Sequence, residues 1–239
     1  EQRPKYYKNR VNAGIHIINK RLFGSCQFGL KQKMDLDRDI LRPLVGTGVM
    51  FCYDSPEYVR DMGTPERLAE VENALKKGIV RAKNRSNRQR AVFLDRDGTI
   101  NREVGLISDI RRFELLPGVG EAIRRINQSG FLAIVITNQP VIARGELSDQ
   151  GLEDIHNKME TLLGEEGAYL DGIYYCPHHP HSGYEGEIRE LKIECNCRKP
   201  RPGMLYAAAE AFQIDLNRSW MIGDSERDIA AGRNAGCKT

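Results

Sequence analysis

Acidic, hydroxyl and lysine side chains recur in four short groups in the C-terminal part of the chain. In order, these groups contain Asp95, Asp97 and Thr99, then Thr137 and Asn138, then Lys199, and finally Asp224 with Asp228. Carboxylates are ligands for a hard cation such as Mg²⁺, and the cation together with a lysine offsets the charge of a phosphoryl group. A carboxylate can attack phosphorus and form an aspartyl-phosphate, while the second acid protonates the leaving oxygen and later activates water. The set predicts a magnesium-dependent phosphoryl-transfer site.

Soft ligand atoms form a second set between residues 176 and 197. The pairs Cys176-x-His178 and Cys195-x-Cys197 are separated by 16 residues, and His179 and His181 are alternative ligands. Two close pairs of such ligands suit tetrahedral Zn²⁺, whereas free thiols beside incidental histidines are the simpler alternative. If four protein ligands fill the site, no position stays open for water. We therefore predict a structural zinc that braces the loop before Lys199.

The elements that would position these residues alternate along the chain. Apolar runs predict strands near residues 91–94, 131–136, 172–175 and 219–222, and amphipathic segments predict helices near 118–129, after Ser148, near 203–213 and from Arg227. Strands that alternate with helices imply right-handed crossovers and an α/β fold with a doubly wound parallel sheet. Ligands of such sheets gather at the carboxyl ends of the strands. All four chemical groups follow a predicted strand or precede a predicted helix. A single DxD or GD pair is more often a turn or a cap, so the prediction depends on the whole set.

The four groups resemble the signature motifs of the haloacid dehalogenase superfamily of phosphatases. Within that superfamily, residues 91–239 resemble the D-glycero-D-manno-heptose-1,7-bisphosphate 7-phosphatases, through the segments 93–101, 137–139, 142–145, 172–180 and 197–200. The sequence departs from this family at Pro140-Val141, where Ser-Gly is usual. It also ends at Thr239, before a strand and a helix that the family would add. The departure at Pro140 affects the expected sugar pocket more than the expected chemistry.

The resemblance implies a role for each site residue. It makes Asp95 the nucleophile and Asp97 the general acid/base. Phosphoryl-group and substrate contacts are assigned to Thr137, Lys199, Asn138, Arg198 and Arg144. It assigns Mg²⁺ to Asp95, the backbone carbonyl of Asp97 and Asp224, and zinc to Cys176, His178, Cys195 and Cys197. The implied substrate is a small sugar bisphosphate. A histidinol-phosphate phosphatase is the enzymatic alternative, and a non-catalytic zinc-braced binding module is an alternative of a different class.

Residues 1–80 resemble a different family, the sugar-phosphate nucleotidyltransferases, in their C-terminal part. The resemblance lies in the segments 11–15 and 58–67, and it implies a metal ligand at Asp61 and a sugar contact at residues 12–14. The Gly-rich nucleotide-binding segment of such enzymes is not in the sequence, so we expect a partial α/β segment without activity of its own. The missing nucleotidyltransferase portion would then be a partner in a longer bifunctional chain.

One helix is predicted inside this N-terminal segment. Thr64 is a typical N-cap and Pro65 a typical first helical residue. The helix is predicted to bury Leu68, Val71 and Leu75 and to end at Gly78.

Charge is distributed unevenly between the two parts of the chain. Residues 1–90 contain 19 Lys and Arg against 10 Asp and Glu, whereas residues 91–239 contain 17 against 23. Five of the basic residues lie in the segment 81–90, which is interpreted as a solvated basic linker rather than a nucleic-acid contact. No apolar run approaches the length of a membrane helix, and the six cysteines are too few for a disulfide scaffold. We therefore expect a cytoplasmic protein without nucleic-acid or membrane partners.

Overall fold

The fold is described by a computed structural model that covers residues 5–25 and 33–239. Its α-helices are α1 (Leu22–Ser25), α2 (Pro65–Lys76), α3 (Ile79–Ala82), α4 (Val119–Gln128), α5 (Asp149–Glu165), α6 (Gly203–Phe212) and α7 (Glu226–Ala235). Its strands are β1 (Ala91–Leu94), β2 (Leu132–Asn138), β3 (Gly172–Cys176) and β4 (Trp220–Ile222). The chain divides into a larger unit, Glu1–Arg10 with Pro56–Thr239, and a smaller unit, Val11–Ser55.

The larger unit is built on a parallel four-stranded sheet. The strand order is β3-β2-β1-β4, and Phe93 of β1 lies opposite Ile134 of β2 on one side and Met221 of β4 on the other. β1 is buried along its whole length, as a strand covered by helices on both faces must be. The predicted parallel sheet is thereby confirmed, with strand positions within one or two residues of the predicted ones.

Two apolar layers cover the two faces of this sheet. One layer joins alternate residues of β1 and β2, including Phe93 and Ile134, to Met204 and Leu205 of α6 and Ala231 of α7. The other joins the intervening strand residues to side chains of α4 and α5, such as Ile123, Ile155 and Met159. Since neighbouring strand residues point to opposite faces, both layers draw on the same strands, and the sheet is doubly wound as predicted.

Side-chain caps fix the helices that begin next to the sheet edge. Ser148 accepts a hydrogen bond from the backbone N–H of Gly151 at 3.0 Å and starts α5 at the predicted position. α7 begins at Glu226, where Ser225 and Asp228 form a reciprocal capping box. Because Asp228 caps α7 from within its first turn, its carboxylate is held at the sheet edge.

Residues 7–10 lie along α5 and the loop that leads into β3. The Thr161 hydroxyl accepts from the backbone N–H of Tyr7 at 2.9 Å and donates to the backbone carbonyl of Tyr7 at 3.1 Å. The backbone N–H of Asn9 donates to Glu160, and its side chain donates to the carbonyl of Ala168. These contacts explain why residues 7–10 belong to the larger unit.

Two residues of the basic segment 81–90 are buried, unlike the rest of the expected solvated linker. Lys83 is buried, and its Nζ donates to the Tyr169 hydroxyl at 2.7 Å and forms an ion pair with the buried Asp171 at 3.4 Å. Gln89 is also buried, and its backbone pairs with the chain around Ile214. The prediction rested on the composition of the segment and its neighbours, whereas an acidic partner 88 residues away removes this lysine from water.

α2 confirms its predicted start but not its predicted buried face. Thr64 caps the helix by accepting from the backbone N–H of Arg67, and Pro65 is its first residue. The side chains of Leu68 and Leu75 are 45% and 57% exposed, and the buried residue of the helix is Ala74. The apolar spacing is helical, but within the described residues no element covers Leu68 and Leu75.

The smaller unit contains α1, a π-helical turn over Leu36–Leu41 and a 3-10 turn over Arg42–Leu44. Asp35 caps the π-helical turn, and Ile40 and Leu41 are its buried residues. The described part of residues 1–80 contains no β-strand, so the α/β character predicted for that segment stays a prediction. Residues 1–4 and 26–32 of the same segment lie outside the described residues. None of the described helices combines the length and the apolar character that a membrane span requires.

Candidate active site

The predicted chemical residues meet at the carboxyl edge of the sheet. Asp95 directly follows β1, and its backbone N–H donates to the carbonyl of Ile222 at the end of β4. Thr137 and Asn138 are the last residues of β2. Parallel neighbouring strands end at the same edge, so residues far apart in sequence become neighbours in space.

Lys199 is the cation at the centre of this edge. Its side chain is almost fully buried, and Nζ lies 2.8 Å from Asp95 Oδ1 and 2.5 Å from Asp228 Oδ1. Nζ also donates to the backbone carbonyl of Ile136 at 2.9 Å. A buried ammonium requires such partners, and two carboxylates and a carbonyl supply them.

Asn138 holds the backbone of Lys199 in place. The Asn138 side-chain amide donates to the Lys199 carbonyl at 3.2 Å and accepts from the Lys199 N–H at 3.0 Å. Asn138 is predicted to contact substrate, and the structure gives its amide this second task. The reciprocal pair fixes the loop that carries the lysine to the end of β2.

Burial changes the acidity of the predicted nucleophile. Burial, aided by the negative charge of Asp228, raises the pKa of Asp95 to about 6, although Lys199 opposes the shift. For Asp228 the balance is reversed: burial works against ionisation, but Lys199 and the Ser225 hydrogen bonds lower its pKa. One lysine thus compensates two buried carboxylates.

Three carboxylates at this edge could hold a cation. Asp95, Asp224 and Asp228 each offer an oxygen within 4.8 Å of the others. Gly98 makes the approach of Asp224 possible, since a Cβ at position 98 would lie 1.9 Å from Asp224 Oδ2, and its φ of +78° also favours glycine. An all-oxygen set of this charge fits Mg²⁺. The set adds Asp228 to the predicted ligands Asp95 and Asp224, while the assignment of the Asp97 carbonyl stays a prediction.

The Asp97 carboxylate is held by three neighbours that the sequence analysis did not single out. Arg96, whose side chain is fully buried, donates to both carboxylate oxygens at 2.9 Å. Gln139 donates to Oδ2 at 2.8 Å, and Asn101 donates to Oδ1 at 3.0 Å. The sequence signal that could have identified Arg96 is its position between the two functional acids Asp95 and Asp97, in a loop after a buried strand.

His156 extends this network from α5. Its Nε2 lies 3.5 Å from Nη1 of Arg96, and its ring lies 5.9 Å from that of Tyr175. Burial and the positive charge of Arg96 lower the pKa of His156 to about 3. The imidazole of His156, which lies beside the Arg96 guanidinium, is therefore neutral at physiological pH.

The four predicted zinc ligands lie together in the structure. The three sulfur atoms of Cys176, Cys195 and Cys197 are 3.2–3.5 Å apart, and His178 Nδ1 lies 3.3 Å from Cys197 Sγ and 3.7 Å from Cys176 Sγ. A tetrahedral zinc with bonds of about 2.3 Å separates its ligands by about 3.8 Å, close to these distances. The donor set therefore fits zinc.

The alternative histidines do not belong to this cluster. His179 Nδ1 lies 3.1 Å from the backbone carbonyl of His181, and the two rings contact each other edge to face. The histidine whose nitrogen joins the sulfur atoms is His178. Its backbone carbonyl accepts from Arg198 at 3.1 Å, which connects the cluster to the residue before Lys199.

Arg144 and Arg198, the predicted substrate-binding arginines, lie near each other. The Arg144 guanidinium lies 4.1 Å from the centre of the Tyr184 ring, and Nη2 donates to the Tyr184 hydroxyl. Nε of Arg144 is buried, and within the described residues it has no hydrogen-bond partner. Burial lowers the pKa of Arg198, and the positive charges of Arg227 and Arg144 contribute to the shift. Several like charges near one another suit an anion.

Asp61, predicted to bind a metal by the second resemblance, lies elsewhere on the larger unit. Its carboxylate accepts from the Gly63 N–H at 2.8 Å and pairs with Arg67. Asn12, in the smaller unit, accepts from the Gly14 N–H. Among the described residues, the acidic cluster suited to a metal does not include Asp61.

Comparisons with known proteins place the chain among phosphatases. A family model described as HAD-hydrolase-like matches residues 196–239. The chain is 44% identical over 150 residues to a D-glycero-β-D-manno-heptose-1,7-bisphosphate 7-phosphatase of Salmonella typhi, covering 62% of this chain and 78% of that protein. It is 43% identical over 152 residues to the corresponding α-heptose enzyme of Burkholderia mallei, covering 64% and 78%.

A solved structure agrees with these relatives. It is that of a D,D-heptose 1,7-bisphosphate phosphatase of B. bronchiseptica, complexed with magnesium and phosphate. The TM-score is 0.53 at 35% identity, with 62% of this chain and 78% of that chain covered. The fold, the sequence motifs and the relatives thus all indicate a HAD-like phosphatase.

Proposed function

The chain belongs to the D-glycero-D-manno-heptose-1,7-bisphosphate 7-phosphatase family, and from this we propose that it removes the 7-phosphate of a heptose 1,7-bisphosphate. It is a phosphoric monoester hydrolase with a HAD-like α/β fold. The observation that carries the proposal is the meeting of Asp95, Asp97, Thr137 and Lys199 at one sheet edge, where the Asp95 carboxylate clusters with those of two further acids, Asp224 and Asp228. Nucleophile, proton donor and charge partner are then within reach of one phosphoryl group.

The reaction would proceed through two displacements. A carboxylate oxygen of Asp95 attacks phosphorus, the bond to the sugar oxygen breaks, and Asp97 gives its proton to that oxygen. Asp97, now a carboxylate, takes a proton from water as the water oxygen attacks the aspartyl-phosphate. Inorganic phosphate leaves, and both acids return to their initial states. Lys199 and Thr137 would hold the phosphoryl oxygens during both steps.

Asp95, Asp224 and Asp228 would hold Mg²⁺, with the backbone carbonyl of Asp97 as a further predicted ligand. The bound cation would supply positive charge against the phosphoryl oxygens. Without it, Lys199 is the main compensation for the buried acids. The chain's own residues therefore preorganise the charge that a phosphate monoester needs.

The second phosphate of the substrate would lie against Arg144 and Arg198. Arg144 has an unpartnered buried Nε, and Arg198 lies near the charges of Arg144 and Arg227. A phosphate there would neutralise these charges and accept hydrogen bonds from two guanidinium groups. A site built in this way rejects substrates that lack the second phosphate, because its donors are left unpaired. The anomeric phosphate would survive the reaction because these arginines, and not Asp95, hold it.

Zinc in this proposal is structural. Cys176, His178, Cys195 and Cys197 provide a closed set of four ligands, and free thiols of this kind persist in the reducing cytoplasm. The cluster lies next to Arg198 in sequence and contacts it through the carbonyl of His178. The metal would brace the loop that delivers Arg198 and Lys199, without taking part in the chemistry.

We further infer that the 1-phosphate is kept for a nucleotidyltransferase reaction. Residues 1–80 resemble guanylyltransferases acting on mannose-type sugars, and such enzymes require a sugar 1-phosphate. This favours the α-anomer and a GDP-heptose route. The inference rests on the sequence resemblance of the segments 11–15 and 58–67, and it concerns the product of the phosphatase reaction proposed above.

The test is ³¹P NMR of the purified chain with synthetic α- and β-heptose 1,7-bisphosphate and with histidinol phosphate. We expect loss of the 7-phosphate signal, retention of the 1-phosphate signal, and the larger kcat/KM for the α-anomer. Asp95→Asn is the matched control, because it keeps the shape of the side chain and removes the nucleophile. Release of the 1-phosphate contradicts the regiochemistry, and preference for histidinol phosphate contradicts the substrate. Equal phosphate release by Asp95→Asn contradicts the mechanism, and no release by the unmodified chain supports the non-catalytic alternative.

A further inference from the structure

Gln139 connects three side chains of the site through one amide group. It follows β2 directly and is 1% exposed. Its Nε2 donates to Asp97 Oδ2 at 2.8 Å and to Thr137 Oγ1 at 2.9 Å, and its Oε1 accepts from Arg96 Nη2 at 3.0 Å. Both amide hydrogens and the amide oxygen are therefore engaged inside the site.

The orientation of this amide is determined by its neighbours. A guanidinium can only donate, so the atom that faces Arg96 must be the amide oxygen. The amide nitrogen must then face Asp97 and Thr137. The backbone N–H of Gln139 donates to the carbonyl of Cys176 at 2.7 Å, which holds the residue against the end of β3. The side chain has neither rotational nor positional freedom without the loss of a buried hydrogen bond.

The contact with Thr137 has a chemical consequence. When the hydroxyl oxygen accepts a hydrogen bond from Gln139, its own proton must point in another direction. The second hydrogen of the Gln139 amide is donated to Asp97. The amide therefore holds the Asp97 carboxylate at a fixed distance from the Thr137 hydroxyl. Arg96 closes the arrangement, because it donates both to Asp97 and to Gln139.

We propose that Gln139 is a positioning residue that aligns the Asp97 carboxylate and the Thr137 hydroxyl on the same phosphoryl group. The proposal rests on the proposed function, which assigns proton transfer to Asp97 and phosphoryl contact to Thr137. Gln139 does not touch the reacting atoms in this proposal. It acts through the two side chains that do, so that the leaving oxygen meets the proton donor when the phosphoryl group is seated.

The test compares two substrates that differ in their need for a proton donor. A sugar phosphate releases a poor leaving group that must be protonated, whereas p-nitrophenyl phosphate releases a good one that need not be. Gln139→Leu should lower the single-turnover rate with heptose 1,7-bisphosphate by about 10²-fold, the scale of a misplaced catalytic group, with less than threefold change in KM. The loss with p-nitrophenyl phosphate should be at least tenfold smaller. Gln139→Glu, which keeps the shape but not the donors, should behave like Gln139→Leu.

Asn127→Leu is the matched control for the loss of a buried amide. Asn127 is nearly as buried as Gln139, and its side chain exchanges two hydrogen bonds with the backbone of Tyr169. This variant should lower Tm but leave both turnover rates at wild-type values below its transition. Equal losses on the two substrates, or full activity of Gln139→Glu, would overturn the positioning role.

Turnover by the unmodified chain separates this proposal from the function on which it rests. If the unmodified chain releases no phosphate from either substrate, the proposed function fails. If it is active and Gln139→Leu matches it on both substrates, the function stands and the positioning role fails.

Discussion

Replacement of Lys199 by methionine tests whether this lysine compensates the buried carboxylates of Asp95 and Asp228 at the sheet edge. The substitution keeps most of the apolar stem, so it creates little cavity, but it removes the ammonium between Asp95 and Asp228. Loss of one partner of a buried ion pair leaves an uncompensated charge and costs about 3–5 kcal/mol. The Ile136 carbonyl also loses its donor. We expect the free energy of unfolding to fall by about 3–5 kcal/mol at neutral pH, and kcat/KM by about 10²–10³-fold because the phosphoryl charge loses its lysine.

Urea unfolding followed by far-UV circular dichroism in metal-free buffer would measure the stability effect. Lys76→Met is the matched control, since Lys76 forms a solvent-exposed pair with Glu72 at 3.8 Å on α2. That variant should be indistinguishable from wild type, because exposed ion pairs contribute little.

A double substitution distinguishes charge from packing. Lys199→Met combined with Asp228→Asn removes one of the uncompensated charges and should recover a substantial part of the lost stability without recovering activity. If Lys199→Met unfolds like Lys76→Met, or retains wild-type turnover, the central role of the buried lysine is refuted.

Three other perturbations have defined outcomes. Gly98→Ala should weaken Mg²⁺ activation, measured by titrating activity with the metal, because the new Cβ would occupy the position of Asp224 Oδ2; unchanged Mg²⁺ dependence would contradict the assigned approach. Cys195→Ser should abolish bound zinc in elemental analysis and lower Tm, whereas Cys52→Ser, at an exposed thiol, should change neither; a zinc-free protein with its native transition would refute the site. His156 has a folded pKa of about 3 against about 6.5 when unfolded, so the unfolded chain takes up the proton first as pH falls, and stability is lost at up to about 1.4 kcal/mol per pH unit in that window. His156→Gln should lack this contribution, so the difference in unfolding free energy between wild type and variant should shrink from pH 7 to pH 4; a constant difference would contradict the neutral histidine.

The alternating elements and the site edge could be predicted because both depend on local patterns. Continuous apolar runs indicate buried parallel strands, and the rule that ligands gather at strand ends then brings Asp95, Thr137 and Lys199 together. The zinc set was accessible for the same reason, since ligand spacing is a property of short segments. The choice among the three histidines required a family resemblance, because spacing alone permits each of them.

The missed features are those that depend on partners distant in sequence. Lys83 was interpreted as solvated, and its burial follows from Asp171 and Tyr169. The apolar face of α2 was expected to be buried. Helical spacing identifies such a face, but it does not show whether another element packs against it. Gln139 and Arg96 are ordinary polar residues in sequence, and their roles become visible only when their hydrogen bonds converge on Asp97. Charge and periodicity indicate whether a residue tends to be exposed or buried, but its burial and its role depend on the residues that contact it in the fold.

The attachment of residues 7–10 to α5 has a consequence for how the protein folds. Each of its hydrogen bonds joins residues that are 151–160 positions apart in the chain. Such contacts raise the contact order, and the entropy of closing so long a loop must be overcome before the contact contributes to stability. During synthesis, Tyr7 leaves the ribosome long before Thr161 exists. Residues 7–10 must therefore wait for α5 and the loop after it, so their docking cannot begin until that later part of the larger unit has been made.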